Sequence, residues 1–123
     1  MARATPAPRD LRVWTPTSNR FGWSSYLGTK PGGRHTPPYA VPARRDDLQG
    51  LPPAWIGVGT EDLFFEEDAE YARRLTAAGV SSHLVVVPGA FHGFDSVLPR
   101  KDVSRRFLDE QVAALATVLF SDA

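Results

Sequence analysis

The sequence predicts an α/β fold: a βαβα unit built on a parallel pair of strands, preceded by an irregular, proline-rich segment. Two observations carry that expectation. Residues 54 to 123 alternate short apolar runs with stretches of helical period, and residues 1 to 53 hold every proline of the eleven in this 123-residue chain except Pro88 and Pro99. Prolines at that density leave no room for a long helix or a central strand.

The elements follow in order. Residues 1–53 are expected to be irregular, with one short helix near 18–27. Their large side chains in "RVWTPTSNRFGWSSYLG" (Trp14, Phe21, Trp23, Tyr26, Leu27) are those of a segment that lies on another surface, since disordered linkers are poor in aromatics. "AWIGVG" (54–59) follows a double proline and precedes turn chemistry, the pattern of a buried strand. "EEDAEYARRLTAAG" (66–79) reads as a helix. Glu66, Glu67 and Asp68 suit its positive end and Arg73 and Arg74 its negative end. Ala72, Leu75 and Ala78 form its apolar stripe, and Gly79 suits the C-terminal cap.

"SSHLVVVPG" (81–89) is a second β-branched run. The longest helix is expected over 102–120, with Asp102 as N-cap and a stripe of Leu108, Val112, Leu115 and Leu119. Both strands are apolar almost throughout, so both faces of the sheet are expected to be covered, as in parallel sheets. A right-handed crossover sets them side by side. Two strands alone make too small a sheet to stand by itself, so either another copy or partner pairs with them or they are part of a larger sheet.

Composition narrows the function classes. Hydrophobic residues make up 42% of the chain, and 14 basic residues balance 14 acidic ones. No global field draws nucleic acid or anionic lipid, and the arginines form no run. The absence of cysteine removes disulfides, thiolate metal sites and a cysteine nucleophile together. "MARATPAPRDLRVW" lacks the apolar run of a signal peptide and no segment is long enough to span a bilayer, so the expected location is cytoplasmic.

The chemistry is expected where parallel sheets keep it, outside the carboxyl ends of the strands. "TEDLFFEED" leaves the first strand end and "GAFHGFD" the second, which brings Asp62 and His92 to one edge. A carboxylate beside an imidazole can fix its tautomer and stabilise the imidazolium. Gly89 and Gly93 let the backbone turn sharply on both sides of His92. Alone, either residue fits a structural role, and most of the acidic cluster around Asp62 fits a solvated helix start. Phe64, Phe65, Phe91 and Phe94 either wall a pocket or fill the core, with packing the stronger expectation. Trp23 and Tyr26 could touch the same pocket. His35 and His83 are assigned no role, His83 fitting a partly covered strand position. No His-x-His or His-x-x-x-His spacing suggests a metal, and no cofactor is expected.

"LPPAWIGVGTEDLFFEEDAEYARRLTAAGV" followed by "HLVVVPGAFHGFD" resembles the C-terminal part of the α/β-hydrolases, and more narrowly the hormone-sensitive-lipase-like carboxylesterases. Gly59, Asp62, Glu66 and Glu67 match that family's Gly-x-x-Asp-x-x-x-acidic-acidic stretch, and the Pro-Gly-x-x-His-Gly-Phe stretch carries His92. "NRFGWSSYLG" and "YAVPARRDDLQGLPP" resemble its connection between strands six and seven. The resemblance implies that Asp62 and His92 are the acid and base of a Ser-Asp-His triad and that the substrate is a small ester. The family's Gly-x-Ser-x-Gly elbow and His-Gly-Gly-Gly loop are both missing. No serine of the chain stands in such an elbow, so an inactive fragment of an esterase is expected. The rival expectation is a non-catalytic module that self-associates or binds a partner through an unpaired strand edge. A nucleotide-binding domain is disfavoured by the lack of a Gly-x-Gly-x-x-Gly turn.

Overall fold

The computed structural model describes residues 11–33 and 36–120. Helix α1 spans Pro16–Leu27, strand β1 Ala54–Gly59, helix α2 Phe65–Ala77, strand β2 Ser82–Val87, the single turn α3 Phe94–Val97 and helix α4 Asp102–Leu119. The two strands pair in parallel, in register from Ala54 opposite Ser82 to Gly59 opposite Val87. This is the expected βαβα order. His35 lies outside the described residues.

Helix α1 begins earlier than its sequence pattern suggests because Thr15 and Pro16 form a start signal. The Thr15 Oγ1 accepts from the Ser18 amide at 3.2 Å, and Pro16 takes the first helical position, where no amide hydrogen is needed. The helix buries no residue and lies on the surface. The chain behind it is clamped to α2. Arg74, placed by sequence near the negative end of that helix, donates from Nη1 to the Ala43 carbonyl at 2.6 Å and from Nη2 to that of Arg45.

Alternation along β1 divides its side chains between two faces. On one face Ala54 and Ile56 join the cluster of Leu48, Leu75 and Val80 under α2. Leu75 is only 1% exposed. Helix α2 stops as its Gly79 predicts: Gly79 takes φ +79°, its amide bonds the Thr76 carbonyl, and the Val80 amide bonds that of Leu75. This paired closure lets Val80 fold back onto Leu75. On the other face Trp55 and Val85 meet Val87, Ala90, Phe94 and Phe107. The Phe107 ring stands 5.4 Å from that of Trp55 and 5.0 Å from that of Phe94. A methyl on Gly57 would come within 2.5 Å of Phe107, so β1 has to be bare there.

Four expectations need correction. Strand β2 ends at Val87 rather than at residue 89, because Pro88 has no amide hydrogen to continue a ladder and Gly89 turns at φ +72°. The N-cap of α4 is Lys101; Asp102 already has helical geometry and serves as a first-turn acid. The stripe of α4 is not covered. Ser104 and Phe107 face the core, whereas Leu108, Val112, Leu115 and Leu119 are 54–64% exposed. Two strands, set about 4.8 Å apart, are too narrow to shelter that whole face. His83, opposite Trp55 in the ladder, is likewise exposed.

Burial decides how truncations act. Leu75→Ala should cost about 2–5 kcal/mol in a urea unfolding curve. Leu115→Ala, on the outward stripe, should change the same curve by about 0.5 kcal/mol or less.

Candidate active site

Three hydrogen bonds sew the loop after β1 to the loop after β2. The Thr60 amide donates to the Val87 carbonyl at 3.1 Å, the Glu61 amide to that of Ala90 at 3.0 Å, and the Gly89 amide to Thr60 Oγ1 at 2.9 Å. The seam is so close that a methyl on Gly59 would lie 2.1 Å from the Ala90 oxygen. Any other residue at position 59 would push the loops apart.

Asp62 follows at once. Its amide donates to the Gly59 carbonyl, and its Oδ1 accepts from the Phe64 amide at 2.9 Å. This local turn fixes the carboxylate before any partner arrives. The second oxygen, Oδ2, lies 3.0 Å from His92 Nδ1. The Asp62 side chain is 9% exposed and that of His92 37%. A carboxylate only accepts hydrogen bonds, so Nδ1 carries the proton, and in the neutral imidazole Nε2 is the nitrogen with the lone pair. Among the described residues Nε2 has no hydrogen-bond partner. Gly89 and Gly93, at φ +72° and +69°, form the two bends that turn His92 back toward Asp62.

Two rings hold the imidazole. Trp14 lies 5.8 Å from it, tilted by 35°, and Phe64 meets it edge-on at 5.6 Å. Trp14 is itself anchored by Nε1 donating to Asn19 Oδ1 at 3.3 Å. Nothing in the sequence points to Trp14 beside His92, because the contact joins residues far apart in the chain through an irregular segment. Of the four phenylalanines considered for a pocket wall, Phe64 touches His92 and borders open grooves. Phe94 is 5% exposed and belongs to the core, against which Phe91 packs. Phe65 is half-buried at the start of α2. Trp23 and Tyr26 line the groove that also contains Trp14 and Phe64.

Asp68, one turn into α2, has a markedly raised affinity for protons. Burial, then the negative charges of Asp62 and Glu67, push its carboxyl up from the ordinary 3.8 to about 6, against the opposing pull of His92. Among the described residues no group of three or more His, Cys, Asp or Glu is arranged to hold a metal.

The family model described as the alpha/beta hydrolase fold matches residues 2–96. The chain belongs to that family, and the resemblance to the hormone-sensitive-lipase-like carboxylesterases holds. It is 50% identical over 48 residues to carboxylesterase NlhH of Mycobacterium tuberculosis, a match covering 39% of this chain and 15% of that protein. It is similar to the crystal structure of esterase LipW from Mycobacterium marinum, with a TM-score of 0.75 and 40% identity over 85% of this chain and 32% of that one. A bacterial heroin esterase superposes with a TM-score of 0.76 at 34% identity, over 85% of this chain and 34% of its own. The chain thus spans about a third of the length of these solved esterases. Among the described residues no helix is long and apolar enough to cross a membrane.

The Asp68 shift has a defined consequence for stability. Its folded-state affinity for protons is raised, so its stabilising contribution is full below about pH 3.8 and is lost as pH rises through about 6. Urea midpoints should therefore fall across that window. Asp68→Asn should flatten the fall and be the more stable protein at pH 7.

Proposed function

We propose that this chain supplies the acid and base of a carboxylesterase, with Asp62 orienting His92 and His92 activating a serine hydroxyl carried by a separate segment. The observation that supports the reading most is the 3.0 Å contact between His92 Nδ1 and Asp62 Oδ2, which leaves Nε2 as the basic nitrogen. In the proposed cycle Nε2 takes the serine proton as the serine oxygen attacks an ester carbonyl. The resulting imidazolium, stabilised by the Asp62 carboxylate, returns the proton to the departing alcohol. Water then cleaves the acyl-serine by the same transfers in reverse order. Asp62 stays ionised throughout. Family membership and the likeness to proteins named as esterases support an ester substrate.

The test is complementation. The purified chain alone should hydrolyse para-nitrophenyl butyrate no faster than its His92→Ala variant, since it offers neither an elbow serine nor an oxyanion loop. Mixed with a polypeptide from a relative that carries both, it should gain turnover. That turnover should fall by about 10⁴-fold in Asp62→Asn, which leaves the imidazole in the wrong tautomer. His92-dependent hydrolysis by the chain alone, or turnover in the mixture that ignores His92, would overturn the assignment.

The outward stripe of α4 favours a second reading, a non-catalytic module that associates through its uncovered apolar face and open strand edges. Sedimentation velocity should then show a concentration-dependent oligomer that Val112→Lys with Leu115→Lys returns to monomer. A chain that sediments as a monomer at every concentration would rule this reading out.

A further inference from the structure

Beside His92 lies an open groove of about 490 Å³ whose walls are mostly rings: Trp14, Trp23, Tyr26, Tyr39 and Phe64. The remaining lining residues, such as Asn19, carry no charge. Two of the rings, Trp14 and Phe64, are the same two that contact the imidazole, so the groove adjoins the base through them, although His92 itself is not part of its lining.

The backbone around this groove is strained in a particular way. Among the described residues two non-glycines have left-handed φ, Val13 at +68° and Tyr39 at +69°. The other left-handed positions, such as Gly28, Gly79 and Gly93, are glycines. Val13 is β-branched, the type least suited to such a φ. It centres a tight turn in which the Trp14 amide bonds the Arg12 carbonyl at 2.8 Å, and this turn delivers the Trp14 ring to His92. Tyr39 is the third residue of a turn from Pro37 to Ala40, closed by the Ala40 amide on the Pro37 carbonyl at 3.1 Å. Proline second and a positive φ third define a turn that calls for glycine there. The side chain kept in that place contributes little burial, since Tyr39 is 79% exposed. Arg45 lies over its ring, 4.8 Å from the centre, and donates from Nε to the Asp47 carbonyl at 2.6 Å. Left-handed strain thus sits beside two walls of one groove, and at Tyr39 it holds a ring that buries little, which points to binding rather than folding at that position.

We propose that the groove is a specificity subsite that binds a flat, uncharged aromatic ring of the ester by stacking, with Tyr39 as its outer wall. The assignment rests on the esterase reading for the nature of the ligand. Ring walls favour a ring over a chain of equal size through offset and edge contacts. No lining residue is charged, and Arg45, the cation against Tyr39, is not among them, so the groove itself offers no ion pair to offset the desolvation of a charged substituent.

The experiment is a titration of the full chain followed by the indole N–H resonances of Trp14, Trp23 and Trp55. Naphthyl acetate should shift Trp14 and Trp23 and leave Trp55, in the core on the far face of β1, unmoved. Ethyl butyrate and the anion para-carboxyphenyl acetate should bind about tenfold more weakly. Tyr39→Gly separates binding from folding: it should raise the thermal midpoint by relaxing the turn and still weaken naphthyl acetate binding about fivefold. Phe21→Ala, which removes an exposed ring outside the groove, should leave the affinity unchanged. No shift at either groove indole, equal affinity for the three esters, or full affinity in Tyr39→Gly would overturn the proposal. The two readings fail separately. Aryl binding without His92-dependent turnover in the complemented enzyme breaks the esterase reading alone, whereas turnover with no aryl preference breaks this one alone.

Discussion

The approach of the Ala90 carbonyl to Gly59 is the constraint on which the site depends. A parallel pair of strands brings two loops to one edge but does not by itself bring them into contact. Here the loops touch because Gly59 has no side chain and Thr60, Glu61 and Gly89 stitch them together. Asp62 is then fixed by its own turn, and His92 by two left-handed glycines, before either meets the other. The geometry of the pair is a result of backbone placement. It does not need the attraction between the two groups to create it, and this is what a preorganised acid–base pair requires.

The two faces of the sheet are completed to different degrees. Under α2 the core is closed by Leu48 from the proline-rich segment, Leu75 and Val80, with Arg74 tying that segment's carbonyls down. Under α4 the rings of Trp55, Phe94 and Phe107 pack together, yet the rest of the helix presents leucine and valine to solvent. The acid–base pair stands at the end of the closed part. Its flanking residues Ala90, Phe91 and Phe94 pack with Phe107, the covered part of α4, and not with the exposed stripe.

Much of this was legible residue by residue. Gly79 marks the end of α2 because a left-handed cap favours glycine, and the Thr15-Pro16 pair marks the start of α1 to a reader who weighs caps over apolar period. The motifs around Asp62 and His92 identify their strand exits. Other features left no trace. The hold of the Gly89 amide on Thr60 Oγ1 is one, a contact across the loops. The exposure of Leu108 and its neighbours followed from sheet width, which periodicity within one helix does not encode.

By itself the sequence determined the order of strands and helices, the parallel pairing, and the candidate acid and base, since these follow from local period, cap chemistry and short motifs. Only the tertiary structure decided that the Asp62 and His92 side chains meet at 3.0 Å, that Trp14 stands against the imidazole, and that Tyr39 keeps a ring where its turn calls for glycine. The reason is physical. Local signals act over one or two turns of chain, whereas a site is made of contacts between segments whose separation in sequence carries no information about their distance in space.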